Sequence, residues 1–99
     1  MAKARTISFA LSAVEDLDGI HKWYFEQQAP ETGARLLKEI IAEIKSLSRF
    51  PERGRVVPEF NVQQLREIIY PPFRIVYRLD STRIRIVRVW RSERLLKID

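Results

Sequence analysis

Residues 73–90 read FRIVYRLDSTRIRIVRVW, two alternating runs around a short polar break. Phe73, Ile75, Tyr77 and Leu79 alternate with Arg74, Val76 and Arg78, and after Asp80-Ser81-Thr82 the pattern resumes with Ile84 and Ile86 against Arg83 and Arg85. Side chains that change sides at every residue belong to strands, so the stretch is a β-hairpin with one apolar face. A two-residue Ser81-Thr82 turn sets Leu79 opposite Ile84, Tyr77 opposite Ile86 and Arg78 opposite Arg85. The arginines then lie on the face away from the core. Within the second strand the alternation breaks: Ile84 and Ile86 share a parity with Arg88 and Trp90, while Val87 and Val89 share that of Arg83 and Arg85. A bulge near Val87 would turn Val87 and Val89 inward and Arg88 and Trp90 outward. Alternatively, both faces of the sheet are partly covered.

Upstream, GRVVPEF and QLREIIY have the same period and are set off by Asn61 and Pro71-Pro72, so the second half holds three or four strands. The first half differs. RTISFAL alternates with Ile7, Phe9 and Leu11 on one side, the period of a short half-buried strand. Ser12, three residues before Glu15, predicts a capping box, and Val14, Leu17, His21 and Tyr24, with Ile20 beside them, give the apolar stripe of a helix ending near Gln28. Pro30 opens a second helix whose stripe is Ala34, Leu37, Ile40, Ile41, Ile44 and Leu47, closed by Phe50-Pro51. The short link favours an antiparallel helical hairpin, and its apolar stripes need the sheet to cover. The expected fold is α+β: an N-terminal strand, then a helical hairpin on one face of a mainly antiparallel sheet of four or five strands. At 99 residues and 45% hydrophobic side chains, one domain spanning residues 1–99 is expected.

Cysteine is absent, which excludes disulfides, thiolate nucleophiles and cysteine metal sites. No apolar run approaches the roughly 20 residues needed to cross a bilayer, and MAKARTISF lacks the apolar core of a signal peptide. A soluble, cytoplasmic protein without a membrane partner is expected. The net charge of +5 is localised: residues 1–49 hold seven basic and seven acidic side chains, residues 50–99 eleven and six. Eight arginines (Arg66, Arg74, Arg78, Arg83, Arg85, Arg88, Arg91 and Arg94) fall between positions 66 and 94, against Glu67, Asp80 and Glu93. Such asymmetry implies a basic face and an anionic partner.

Charged strands also keep sheet edges soluble, but lysine would serve that purpose equally. Arginine's planar fork suits bidentate capture of phosphate or carboxylate, and lysine supplies only one positive charge after residue 49. Trp90, beside Arg91, is placed either to stack in a partner or to pack on the helices. Trp23, Tyr24 and Phe25 go around one turn of the first helix, so at least one faces outward and is available to a partner. His21, the sole histidine, reads as a buried or half-buried structural residue on the apolar side of its helix. Asp16, Asp18, Glu39 and Glu43 read as a solvated helical face. Gly19, Gly33 and Gly54 form no phosphate-cradling loop, and no metal or cofactor is expected.

The pieces SAVEDLDGIHKWY, LLKEIIAEIKSLSRFPERGR, LREIIYPPFRIVYRL and IRIVRVWRSERLL, in this order and spacing, resemble the RelE/ParE superfamily of type II toxin–antitoxin toxins over nearly the whole chain. The resemblance implies a growth-arresting bacterial toxin neutralised by a cognate antitoxin. RelE-like members cleave mRNA on the ribosome; ParE-like members inhibit DNA gyrase. Arg66, Arg74 and Arg91 match basic positions of the RelE-like catalytic pattern. That pattern departs elsewhere: Trp90 stands where His is common, and no Tyr follows Tyr77. Arginine neutralises phosphate charge well but, with a pKa above about 12, is a poor proton shuttle. The ParE-like reading is therefore preferred, with no catalytic residue. Its expected partner-binding surface comprises Arg66, Arg74, Arg78, Arg83, Arg85, Arg88, Trp90, Arg91 and Arg94, and Trp23, Tyr24, Phe25, Arg78 and Arg85 are antitoxin-binding candidates. The alternatives are a RelE-like ribosome-dependent endoribonuclease, with ribosome and mRNA as partners, and an inactive or nucleic-acid-binding module.

Overall fold

The structure, a computed structural model, describes residues 4–91. Its elements are β1 (Thr6–Phe9), α1 (Leu11–Glu26), α2 (Pro30–Ser46), β2 (Arg55–Val56), β3 (Leu65–Tyr70), β4 (Phe73–Leu79) and β5 (Arg83–Arg91). The five strands form one sheet in the order β1-β5-β4-β3-β2. Every neighbouring pair is antiparallel except β1 and β5, which run parallel. The α+β architecture is as expected, with five strands.

The hairpin register is also as expected, with Leu79 opposite Ile84, Tyr77 opposite Ile86 and Arg78 opposite Arg85. Asp80 N–H donates to the Arg83 carbonyl across the Ser81-Thr82 turn at 2.9 Å. Val76 pairs with Arg88 while Tyr77 pairs with Ile86, so Val87 is an extra residue and β5 bulges there. Past the bulge Val89 is buried on the helix side and Trp90 joins a small cluster on the outer face. The bulge turns Val89 inward and Trp90 outward as expected, but Val87 itself joins neither buried cluster, and the outer face is partly covered as well. Segment 57–62 folds over the outer face, where Val57 and Val76 are buried with Phe60, Leu65 and Trp90 packed around them.

The main core lies between the other face and the helices. Phe73, Ile75, Tyr77, Ile84 and Ile86 meet Ala13 and Ile20 of α1 and Leu36, Ile40 and Ile44 of α2. Each large aliphatic or aromatic side chain buried there contributes roughly 1.5–3 kcal/mol.

The helices occur where expected but are rotated. In α1 the inward residues are Ala13, Leu17, Ile20 and Tyr24, whereas Val14 and His21 are exposed. In α2 they are Gly33, Leu36, Ile40 and Ile44, with Leu37 and Ile41 at the flank and Ala34 exposed. One residue of rotation is about 100°. Contact between the helices sets it: a Cβ on Gly33 would stand 2.7 Å from Tyr24 Cβ, so the bare glycine faces α1 and turns Ala34 away. Leu11, expected on the buried side of the strand, instead starts the helix and is exposed.

The capping box does not form. Ala10 is the N-cap and α1 has no side-chain cap. Ser12 Oγ instead donates to the Val87 carbonyl at 2.8 Å. Beyond Ile86 strand β5 has lost its β1 neighbour, and the start of α1 takes that place. Ala10 N–H donates to the Ile86 carbonyl at 2.8 Å, and Asp16 Oδ2 accepts the Val89 N–H at 2.9 Å and Arg88 Nε at 2.7 Å. Ser12 and Asp16 are one helical turn apart, which aims both at the bulged edge. Asp16 is thus a structural ligand of β5 rather than part of a solvated face. Asp16→Ala would leave the Val89 N–H and Arg88 without this acceptor and should lower stability by about 2 kcal/mol, measured by urea denaturation. An effect below about 0.5 kcal/mol would show that water replaces the carboxylate.

Candidate functional site

The arginines expected on one basic face divide among three environments. On the outer face, Glu67 of β3 stands opposite Val76 and is inaccessible to solvent. Arg74 Nε donates to Glu67 Oε1 and Arg55 Nε to Glu67 Oε2, both at 2.7 Å. Segment 57–62 brings Glu59 over Arg74, whose Nη1 and Nη2 donate to its two oxygens at 2.8 and 3.0 Å. Buried charge is tolerable only when paired and hydrogen-bonded in this way. The Glu59 bonds, and then those of Glu67, push the Arg74 pKa above its ordinary value against the opposing effect of burial. Arg74 is a buried structural cation, not a surface one.

Arg66 and Arg91 belong to the opposite face. Arg66 stands opposite the buried Tyr77 and shares the parity of Ile68 and Tyr70. Its Nε donates to the Gln63 carbonyl at 3.2 Å and its Nη1 to the Gly54 carbonyl at 3.1 Å. The Tyr77 hydroxyl donates to the Pro51 carbonyl at 2.7 Å and accepts the Gly54 N–H at 3.0 Å. Burial raises the Tyr77 pKa, and the Gly54 hydrogen bond partly offsets it. Together these groups tie the chain leaving α2 to the middle of the sheet. Arg91 stands opposite Phe73, with its guanidinium 5.4 Å from the Trp23 ring centroid and 5.9 Å from that of Phe73.

Arg88 lies between these groups, bidentate on Asp16 and 4.3 Å over the Trp90 ring. Between α1 and the ends of β4 and β5 is a cleft of about 340 Å³, lined among others by Trp23, Tyr24, Phe73, Arg88, Trp90 and Arg91. A space of this size with aromatic walls can accept a side chain or two of a partner.

The third group is accessible. Arg78, Arg83 and Arg85 are exposed, and Arg78 directly opposes Arg85. Arg78 shares charge with Asp80 at 3.3 Å, whereas Arg83 and Arg85 have no ion pair among the described residues. Like charges facing each other across strands repel, and an anion between them removes that cost. Trp23 and Phe25 are also exposed, and Tyr24 packs on the core with its ring edge-on to Trp23 at 4.8 Å. Arg94 lies outside the described residues.

Several expectations need correcting. His21 is exposed, not buried. Of the supposed solvated acids only Asp18 fits, in an exposed pair with Lys22. Glu39 accepts a hydrogen bond from the Tyr70 hydroxyl, and Glu43 pairs with Arg53. The Tyr70 bond lowers the Glu39 pKa and raises that of Tyr70. Sequence reasoning also missed Arg55, Glu59 and Glu67 as one network. The only available signal was a glutamate beside Arg66 inside an otherwise apolar strand, which charge counting treats as noise.

The family model for the ParE toxin of the type II toxin–antitoxin system parDE matches residues 7–96. A solved structure described as the chromosomal ParDE system from P. aeruginosa is 25% identical, with a TM-score of 0.76, over 91% of this chain and 98% of that one. The RelBE2 toxin–antitoxin complex from Mycobacterium tuberculosis is 24% identical, with a TM-score of 0.63, over 89% and 98%, a likeness of fold. No curated protein sequence matches. With the family match running from β1 past the end of β5, the chain belongs to the ParE toxin family of type II toxin–antitoxin systems.

Proposed function

We propose that this toxin arrests growth by inhibiting DNA gyrase, without cleaving RNA, and is neutralised by an acidic antitoxin. The gyrase reading is supported by the ParE family match, and the absence of RNA cleavage by the placement of the three arginines that match the RelE-like catalytic pattern. Arg74 lies on the opposite face of the sheet from Arg66 and Arg91, and Arg74 and Arg66 are held by carboxylates and backbone carbonyls. Side chains on opposite faces cannot converge on one scissile phosphate, and none of the three is suited to proton transfer. Purified toxin is expected to block gyrase supercoiling while leaving ribosome-bound mRNA intact. Cleavage of the mRNA with unimpaired supercoiling would reverse the assignment.

The second part is supported by the family and by the accessible arginines. The similar solved structures are toxin–antitoxin systems. An acidic, partly disordered antitoxin segment folding on the toxin would cover Trp23 and Phe25 and neutralise Arg78 and Arg85. Arg78→Glu and Arg85→Glu are each expected to weaken the complex about tenfold and flatten its salt dependence, read by calorimetry at two ionic strengths. Unchanged affinity and salt slope would remove these arginines from the interface.

A further inference from the structure

Segment 57–62 packs on the outer face around Val76 and Trp90, and the half of that face beside the hairpin turn stays open. There Thr6 stands opposite Arg83, Ser8 opposite Arg85, and Arg85 opposite Arg78. Paired residues share a face, so three guanidinium groups and two hydroxyls emerge side by side, all of them exposed. Arg83 and Arg85 have no ion pair among the described residues, and Arg78 has only Asp80. Arg5 Nε donates to the Asp80 and Ser81 carbonyls at 3.0 and 3.2 Å, which steadies the turn without using any of these donors.

We propose that this open half of the outer face binds the phosphate backbone of duplex DNA. Phosphodiester oxygens only accept hydrogen bonds, and guanidinium and hydroxyl groups are the side chains that supply donors to them. Arg83 and Arg85 are two residues apart, about 6.8 Å along the strand, and Arg78 is about 4.8 Å away on the next. One DNA strand carries a phosphate every 3.4 Å or so of helix axis, so the three charges can meet neighbouring phosphates. A duplex fits better than a single strand. Single strands are held by bases stacked on aromatic rings, and the aromatic of this face, Trp90, is packed into the cluster under segment 57–62. The open half is strand surface without a helix or loop to enter a groove, so the contact reads charge and not sequence. Antitoxin carboxylates on Arg78 and Arg85 would occupy the same donors, so neutralisation and DNA contact exclude each other. Use of this contact against gyrase, whose substrate is duplex DNA, rests on the reading above; the contact itself does not.

The test is fluorescence anisotropy of the toxin with labelled 20-base-pair duplexes of two unrelated sequences, repeated across a salt series. The logarithm of affinity should fall by roughly 2.7 per tenfold rise in salt, about 0.9 for each of three phosphates, with equal binding of both sequences. Arg83→Gln and Arg85→Gln should each lower that slope by about 0.9 and weaken binding severalfold at low salt, whereas Arg85→Lys keeps the slope. Lys38→Gln, an exposed charge on α2, should change neither. All of these side chains are exposed, and unchanged melting temperatures check that the variants fold. Slopes untouched by the Arg83 and Arg85 variants would place the DNA elsewhere and overturn the proposal. So would tighter binding of the single strand, or capture of a Glu-rich peptide through these arginines without any duplex binding. A toxin that binds the duplex in this way but leaves supercoiling unimpaired would remove the gyrase reading and keep the DNA contact.

Discussion

Glu67→Ala should lower the unfolding free energy by about 3–5 kcal/mol, a large share of the roughly 5–15 kcal/mol that holds a domain together. Glu67 is inaccessible and accepts hydrogen bonds from Arg74 on one oxygen and Arg55 on the other. Arg55 is largely exposed, so water can replace its lost partner. Arg74 is not, and only Glu59 would remain to balance it. Its buried guanidinium would keep its charge, because arginine does not deprotonate in proteins. For a domain of this size the loss corresponds to a fall in melting temperature on the order of 20 °C, readable by thermal circular dichroism. Glu67→Leu combined with Arg74→Met removes both buried charges and should cost less than Glu67→Ala alone. A double variant as unstable as the sum of the two single variants would mean that the ions are not coupled.

Gly54→Ala is the second large effect, at about 3 kcal/mol by overpacking and lost hydrogen bonds. A Cβ there would stand 2.6 Å from the Tyr77 hydroxyl and 2.7 Å from the Glu67 carbonyl oxygen. Neither neighbour can retreat easily. The hydroxyl is held by Pro51 and by Gly54 itself, and the carbonyl belongs to a strand paired on both sides. Denaturation of Gly54→Ala in the Tyr77→Phe background separates the contributions. Phenylalanine removes the closest obstacle, so the alanine should cost less there than in the wild-type chain. Equal costs in both backgrounds would place the strain on the β3 backbone alone.

How much of this was legible in the sequence depended on how local the determining contact was. The β4–β5 register was legible because a two-residue turn and a strict period of two leave one pairing that buries Tyr77, Leu79, Ile84 and Ile86 together. The bulge was legible because it repairs a parity conflict within one strand. Helix existence was legible and helix rotation was not. In α1, Leu11, Val14 and Phe25 give the outward side an apolar content of its own, and only Gly33 against Tyr24 decides which side turns in. The arginines were misplaced for a related reason. Counting charges between positions 66 and 94 omits Glu59, Asp16 and the backbone carbonyls near Gly54, which come from other elements and hold Arg74, Arg88 and Arg66. What remains exposed among the described residues, Arg78, Arg83 and Arg85, is the part of the stripe beside the hairpin turn.

The order of the sheet also places the molecule in time. Strand β5 lies between β1 and β4, and the side chain of Arg5 reaches Asp80, 75 positions later. On a ribosome that adds roughly 5–20 residues per second, β1 waits for several seconds without a strand to join, and the helices wait without the complete surface they cover. Local contacts cannot replace that late pairing, which makes closure of the sheet the slow, non-local step. Among the described strands β5 is made last, so its accessible arginines and the closed sheet arrive together. A cell making this toxin thus holds an open, incomplete sheet until β5 has been made and has emerged.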